Sequence, residues 1–248
     1  MKLTQSLLLF AVAYSCISTP IQAQDLLISN ARIHTAQAQQ PIKNGQVLIQ
    51  DGRIQAVGTQ LRAPGSVERF DAQGRDLTPG LFGGVAPLGL VEVSLEDSTV
   101  EYGLKLGEKS SQFPPMRPEF NPVLAYNPHV SAIGVNRVAG ISFALLGANS
   151  GDSIIAGQGQ LARLDGSYTA AINGSETLFT HLGAGTHSLA GSTRAGQYML
   201  LEQAFREAKS SNKALTGEAR LLTITGREVL ARYLDGGRVL VSVSRAAD

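Results

Sequence analysis

The sequence predicts an α/β protein in which a small β-rich module precedes a larger region of alternating strands and helices. Residues 25–79 hold short apolar runs, and the dipeptides Asn44-Gly45 and Asp51-Gly52 supply the positive φ angles of tight hairpin turns. Beyond Pro79, continuous apolar strands alternate with helical stretches, which is typical of right-handed crossovers and a parallel sheet. We therefore expect three segments, 1–23, 24–79 and 80–248.

The first segment has the features of a signal peptide. Lys2 gives a positive start, Leu7 to Val12 form a short apolar run, and small residues lead to Ala23. Cleavage after Ala23 predicts a periplasmic or secreted protein, with a buried first helix as the alternative. The apolar run is shorter than the roughly 20 residues that span a bilayer, so we expect no membrane association beyond the export signal. Cleavage would also remove Cys16, the only cysteine, which excludes disulfides and thiolate catalysis.

The composition argues against a nucleic-acid partner. The chain has 21 Lys and Arg against 20 Asp and Glu, a net charge of +1, and the basic residues form no stripe. The glycine-rich stretch from Gly147 to Gly159 lacks the spacing of a phosphate-binding or dinucleotide-binding loop. We interpret it as a long connection.

Several helices and strands are expected in the larger region. Two strands are expected, over Ile141 to Leu146 and over Val239 to Val243. A first helix should begin at Asn127-Pro128 and end near Gly140, and a second should span about 189–209 with a cap at Ser192 or Thr193. A third should begin at Thr225 and Glu228 and end near Asp235-Gly236.

Three groups of short motifs carry a family resemblance. They are Ile28-Ser-Asn-Ala-Arg-Ile33 with Asn44-Gly-Gln-Val-Leu-Ile49, then Leu77-Thr-Pro-Gly-Leu81 with Leu88-Gly-Leu-Val-Glu92, then Val138-Ala-Gly-Ile141 with Ala156-Gly-Gln158 and Leu164-Asp-Gly166. In this order they resemble the amidohydrolase superfamily, of the imidazolonepropionase-like, metal-dependent type. The resemblance implies the N-terminal half of a β-sandwich, part of a composite hydrolase domain, plus a partial TIM-like (β/α)8 barrel. It also implies hydrolysis of non-peptide carbon–nitrogen bonds.

The metal ligands of that family are not found where the resemblance puts them. A His-x-His pair is expected at the end of the first barrel strand, and the matching positions hold Val85 and Pro87. A later histidine, ahead of an Arg-Ala-x-Asp run, is matched by Ser242. A hydrolytic zinc site needs three protein ligands and an open position. We therefore expect no cofactor here, and zinc or another divalent metal only if the family activity is retained.

Four other residues are candidates for a pocket. His181 and His187 are six residues apart, which fits neither His-x-His nor a helical pair, so ordinary loop histidines are the alternative. Glu92 follows the first barrel strand, where a solvated acidic rim is the alternative, and Arg194 begins a helix where it could face an anion.

Three functions remain open at this stage. The first is a pseudoenzyme, a relative without catalytic capacity that binds a small molecule or pairs with a separate C-terminal half-chain or with another copy of itself. The second is an active metal-dependent amidohydrolase acting on amides or cyclic amides. The third is a truncated product, suggested because the sequence stops just after a predicted strand.

Overall fold

The part of the chain that the structure describes forms two five-stranded sheets from separate stretches of sequence. The computed structural model describes residues 25–104, 115–151, 153–210 and 220–246. The chain divides into two compact units between Pro79 and Gly80, which we call the N-terminal and C-terminal units. The predicted signal peptide, with Cys16, lies outside the described residues, as do the last two residues of the Arg245–Asp248 run.

The N-terminal unit is a mixed sheet in the order β3-β2-β1-β4, with β5 also pairing with β1. Its strands are β1 (Leu26–Ile33), β2 (Ile42–Gln50), β3 (Arg53–Gly58), β4 (Glu68–Asp71) and β5 (Asp76–Leu77). β1, β2 and β3 pair antiparallel, whereas β4 and β5 run parallel to β1.

Only one of the two predicted hairpin turns is present. Asp51 and Gly52 join β2 to β3, with φ angles of 50° and 71°, and this prediction is confirmed. The prediction of a turn at Asn44-Gly45 is wrong, because both residues lie inside β2, at a register shift against β1. Asn44 has a φ of 50° there. A Cβ atom on Gly45 would collide with Ile33 Cδ1, so any other residue there would displace the Ile33 side chain.

The C-terminal unit is a five-stranded sheet that forms a half-barrel, in the order β10-β9-β8-β7-β6. Its elements are β6 (Leu81–Val85), α1 (Ser131–Val138), β7 (Ile141–Gly147), β8 (Ile155–Arg163), β9 (Thr177–His181), α2 (Arg194–Lys209), α3 (Ile224–Leu234) and β10 (Arg238–Ser242), with 3₁₀ helices at Asp97–Thr99, Pro122–Ala125 and Ala184–Ala190.

The sheet is not all parallel, which corrects the prediction. β6 pairs parallel with β7 and β9 parallel with β10, but β8 lies between the two pairs and runs antiparallel to both neighbours. The interpretation of Gly147 to Gly159 as a long connection is wrong for the same reason, since residues 155–159 begin β8. The start of β8 was not recognised from the sequence because its glycines interrupt the pattern of side chains that is typical of a strand.

The helices cover one face of this sheet. Ile133 of α1 packs against Ala144 and Leu146 of β7. Residues of α2 and α3, among them Ala204 and Leu230, pack with Leu178 of β9. No helix among the described residues is long and apolar enough to cross a membrane.

Three helices do not begin where they were predicted to begin. α1 begins at Ser131 without a side-chain cap, and not at Asn127-Pro128. α3 begins after Thr223, whose hydroxyl accepts from the Gly226 amide at 2.9 Å, and not at Thr225. α2 begins at Arg194 rather than near residue 189, because Ala184–Ala190 is a separate 3₁₀ helix. The predicted cap at Thr193 is confirmed by its hydrogen bond from the Gly196 amide at 3.0 Å.

Candidate functional site at the carboxyl ends of the strands

The carboxyl ends of β6, β7, β9 and β10 meet at one edge of the half-barrel, because these four strands run in the same direction. A cavity of about 360 Å³ opens at this edge, and we call it the mouth pocket. It is lined by Val85, Ala86, Pro87, Tyr102, Gly147, Ala148, Asn149, Phe179, His181, Leu240 and Ser242. In TIM-like folds this edge of the strands is where active sites are found.

An aromatic ring seated on two glycines contributes to the wall of the mouth pocket. Phe179 is 1% exposed and packs with Ala148 and Ala156. A Cβ atom on Gly147 or on Gly159 would lie 2.5 Å from Phe179 Cε2. Glycine in neighbouring strands β7 and β8 therefore makes the space for the ring.

His181 is the residue of the pocket lining whose side chain could ligate a metal ion or exchange a proton with a ligand. Its amide donates to the Ile154 carbonyl at 2.9 Å, which holds the end of β9 against the start of β8. Its ring Nε2 lies 3.4 Å from the Ala148 carbonyl oxygen. A carbonyl can only accept, so Nε2 is the donor in this contact and Nδ1 is the ring nitrogen left to face a ligand.

The far side of the mouth pocket is fixed by backbone contacts. The Asn149 amide donates to the Tyr102 carbonyl at 2.7 Å, and the Leu182 amide donates to the Ser242 carbonyl at 2.8 Å. The first bond ties the segment after β7 to the segment before residue 105. The second ties the segment after β9 to the end of β10.

A solved amidohydrolase from Thermotoga maritima MSB8 matches this structure with a TM-score of 0.72 over 90% of the chain, at 20% sequence identity. The chain has an amidohydrolase fold. The prediction from the three motif groups is thus confirmed at the level of the fold. The chain spans 59% of the length of the Thermotoga protein.

Two further structures are similar over shorter stretches or with poor superposition. Molinate hydrolase matches 27% of the chain and 15% of its own length, at 30% identity and a TM-score of 0.25. The L-hydantoinase of Arthrobacter aurescens matches 88% of the chain and 52% of its own length, at 12% identity and a TM-score of 0.30. These scores are too low to support an argument about the fold. No family model and no curated protein sequence matches the chain.

Four of the sequence-predicted positions come together in this amidohydrolase fold. Val85, Pro87, His181 and Ser242 all line the mouth pocket, although they lie up to 157 positions apart, from 85 to 242. Sequence analysis missed Tyr102, Asn149, Phe179 and Leu240 as lining residues. Asn149 lies just after the end of β7, and it was missed because residues 147–159 were interpreted as one long connection.

The other three candidates lie outside the mouth pocket. Glu92 lines a separate cavity of about 320 Å³ and accepts from Asn127 Nδ2 at 2.6 Å. His187 lies in the 3₁₀ helix Ala184–Ala190, and its Nε2 is buried without a hydrogen-bond partner. Arg194 is an exposed residue at the start of α2.

The lining of the mouth pocket does not fit a hydrolytic metal. Among its lining residues His181 is the one His, Cys, Asp or Glu, whereas three such ligands are needed. Within residues 25–104, 115–151, 153–210 and 220–246, no group of three or more of these residue types is placed to hold a metal ion. Val85 offers an aliphatic side chain, and Pro87 offers a ring without a donor atom.

The clearest perturbed carboxylate belongs to a surface ion pair instead. The Asp76 carboxylate accepts hydrogen bonds from the Arg32 guanidinium and from His34 Nε2, the latter at 2.8 Å. These two bonds hold the pKa of Asp76 well below its usual range. All three side chains are exposed and join β1 to β5 in the N-terminal unit. This shift follows from the ion pair itself and does not indicate a reactive group.

Proposed function

We propose that this chain is a relative of hydrolases of non-peptide carbon–nitrogen bonds that binds a small molecule in the mouth pocket without hydrolysing it. The composition of the pocket lining carries this proposal: Val85 and Pro87 stand at the end of β6, and His181 is a single potential ligand. Catalytic zinc sites activate water with three protein ligands, and the pocket lining supplies one.

The ligand that fits this pocket is uncharged. None of the lining residues is Asp, Glu, Lys or Arg, and a buried charge without a partner is strongly unfavourable. Phe179, Leu240 and Val85 offer apolar contact, while His181 and Asn149 offer hydrogen bonds. A neutral amide or cyclic amide, with an apolar body and one polar group, has matching chemistry.

An active metal-dependent amidohydrolase acting on amides or cyclic amides is the second candidate. The fold and the position of His181 at the carboxyl end of β9 favour it. Further ligands would have to come from outside the described lining of the mouth pocket.

Metal analysis combined with a hydrolysis assay separates the two candidates. We expect the purified chain, equilibrated with Zn²⁺ and then dialysed, to retain less than one equivalent, and to leave acetamide and caprolactam uncleaved. Caprolactam should nevertheless bind saturably, and His181→Ala should weaken that binding. One zinc per chain together with turnover, both lost in His181→Ala, would instead establish the active hydrolase.

We also propose that the edges of the half-barrel accept further β/α structure, from a C-terminal half-chain or from a second copy. Phe82 and Val85 of β6 are 52% and 56% exposed, and Val239 and Val241 of β10 are 48% and 49% exposed. Apolar strand edges of this kind are sites of association.

Light scattering on the chain by itself tests the edge proposal. We expect a mass above that of the monomer, and a shift toward the monomer in Val239→Lys/Val241→Lys, because charge on an edge opposes pairing. Val138→Lys is the control for added charge, since Val138 is 91% exposed at the end of α1 and belongs to neither edge strand. A wild-type chain that stays monomeric and well folded at high concentration contradicts this proposal.

A further inference from the structure

We infer that Gln197 is a positioning residue for the mouth pocket, holding residues 181–187 so that the His181 ring faces the ligand. The inference rests on the proposed ligand binding at His181. It assigns a role to a side chain of α2 that does not line the pocket.

Both polar atoms of the Gln197 side-chain amide form hydrogen bonds with the loop of residues 183–186. It is 1% exposed, its Oε1 accepts from the Gly183 amide at 3.1 Å, and its Nε2 donates to the Gly183 carbonyl at 3.0 Å and to Thr186 Oγ1 at 2.7 Å. Buried backbone groups need partners, and here a side chain supplies them in place of a strand or helix. Gly183 has a φ of 94°, which takes the loop out of the β9 ladder.

Thr186 relays this restraint to His181. Its side chain belongs to a residue with 0% exposure, and its hydroxyl donates to the His181 carbonyl at 2.9 Å while accepting from Gln197. The backbone of His181 is thus held on both sides, by Ile154 through its amide and by Thr186 through its carbonyl. These bonds fix the position of the His181 Cα and Cβ atoms, from which the ring reaches the Ala148 carbonyl.

Buried networks of this kind also stabilise proteins without serving a site, so a stability measurement alone cannot test the inference. A pair of substitutions at Thr186 can. Thr186→Val keeps the shape and removes the hydroxyl, whereas Thr186→Ser keeps the hydroxyl. Gln197→Met removes the amide at similar volume, and Leu201→Ala on the same helix is a destabilising control that packs against the core under α2.

The readout is the ring nitrogen spectrum of His181 in histidine-labelled full-length chain, assigned with His181→Gln. We expect a ring protonated at Nε2 in wild type and in Thr186→Ser and Leu201→Ala, and loss of that preference in Thr186→Val and Gln197→Met. The Kd for caprolactam should rise about tenfold in the last two variants, as expected for one lost hydrogen bond.

The outcomes separate this inference from the proposed function. If the His181 signals of Thr186→Val keep their wild-type values, the positioning role is overturned, whatever happens to binding. If those signals move but wild type does not bind caprolactam, the positioning role is supported and ligand binding fails. Should Gln197→Met not fold, the two Thr186 variants decide.

Discussion

At the scale of single residues, the mouth pocket depends on two glycines, which carry no side chain. Gly147 and Gly159 leave room for Phe179, which could not lie against β7 and β8 if either strand carried a Cβ atom there. From sequence alone these glycines indicated a loop, because glycine lowers strand propensity. The close approach of an aromatic ring from a third strand is the physical reason for them.

Gly159→Ala should destabilise the protein. Its Cβ atom would collide with the Leu146 carbonyl oxygen and with Phe179, and overpacking of this kind costs about 1–3 kcal/mol. Urea unfolding, read as a change in midpoint at constant slope, measures the effect.

Gly134→Ala is the control for that substitution. Gly134 lies in α1 and a Cβ atom there would have no atom within 4 Å, so alanine should stabilise by about 0.5–1 kcal/mol through helix propensity. Equal stabilities of Gly159→Ala and wild type would show that Phe179 does not need this space.

At the scale of the elements, periodicity predicted most helices and strands but not their pairing. β7 and β10 were expected within one residue of their observed bounds, because a short continuous apolar run indicates a strand whether or not the strand is buried. β8 was missed, and with it the antiparallel centre of the sheet. Helix starts were displaced because several Thr and Ser residues near a start are all potential caps, and only the backbone geometry selects one.

A buried carboxylate joins two helical elements. Glu207 of α2 is 6% exposed, and its oxygens accept from the Leu221 and Leu222 amides, each at 3.1 Å. Residues 221 and 222 lead into α3, so Glu207 fixes the approach of α3 to α2. Nothing in the sequence around Glu207 separates it from the solvated acids of the same helix.

Glu207→Gln should lower the free energy of unfolding by about 1–3 kcal/mol, because one amide N–H group would face backbone donors. Glu202→Gln on the same helix is the matched control. Glu202 pairs with Arg206 at the surface, and such pairs contribute about 0.3–0.5 kcal/mol. If the two variants unfold at the same denaturant concentration, the carboxylate does not hold the helices together.

At the scale of the whole molecule, the fold was recognisable because short motifs occur in a definite order along the chain. This protein and the Thermotoga maritima amidohydrolase share the path of the chain, with a TM-score of 0.72, although only 20% of their aligned residues are identical. The half-barrel brings the ends of β6, β9 and β10 to one edge, and that arrangement makes Val85, His181 and Ser242 neighbours of one cavity.

The sequence by itself determined the α/β character of the second region and the residue types at the expected ligand positions, because each depends on local pattern or on identity. The tertiary structure decided that β8 runs antiparallel, that His187, Glu92 and Arg194 lie apart from His181, and that Gln197 holds the loop beside it. Those facts depend on contacts between residues far apart in the chain. Local propensity carries no information about such contacts.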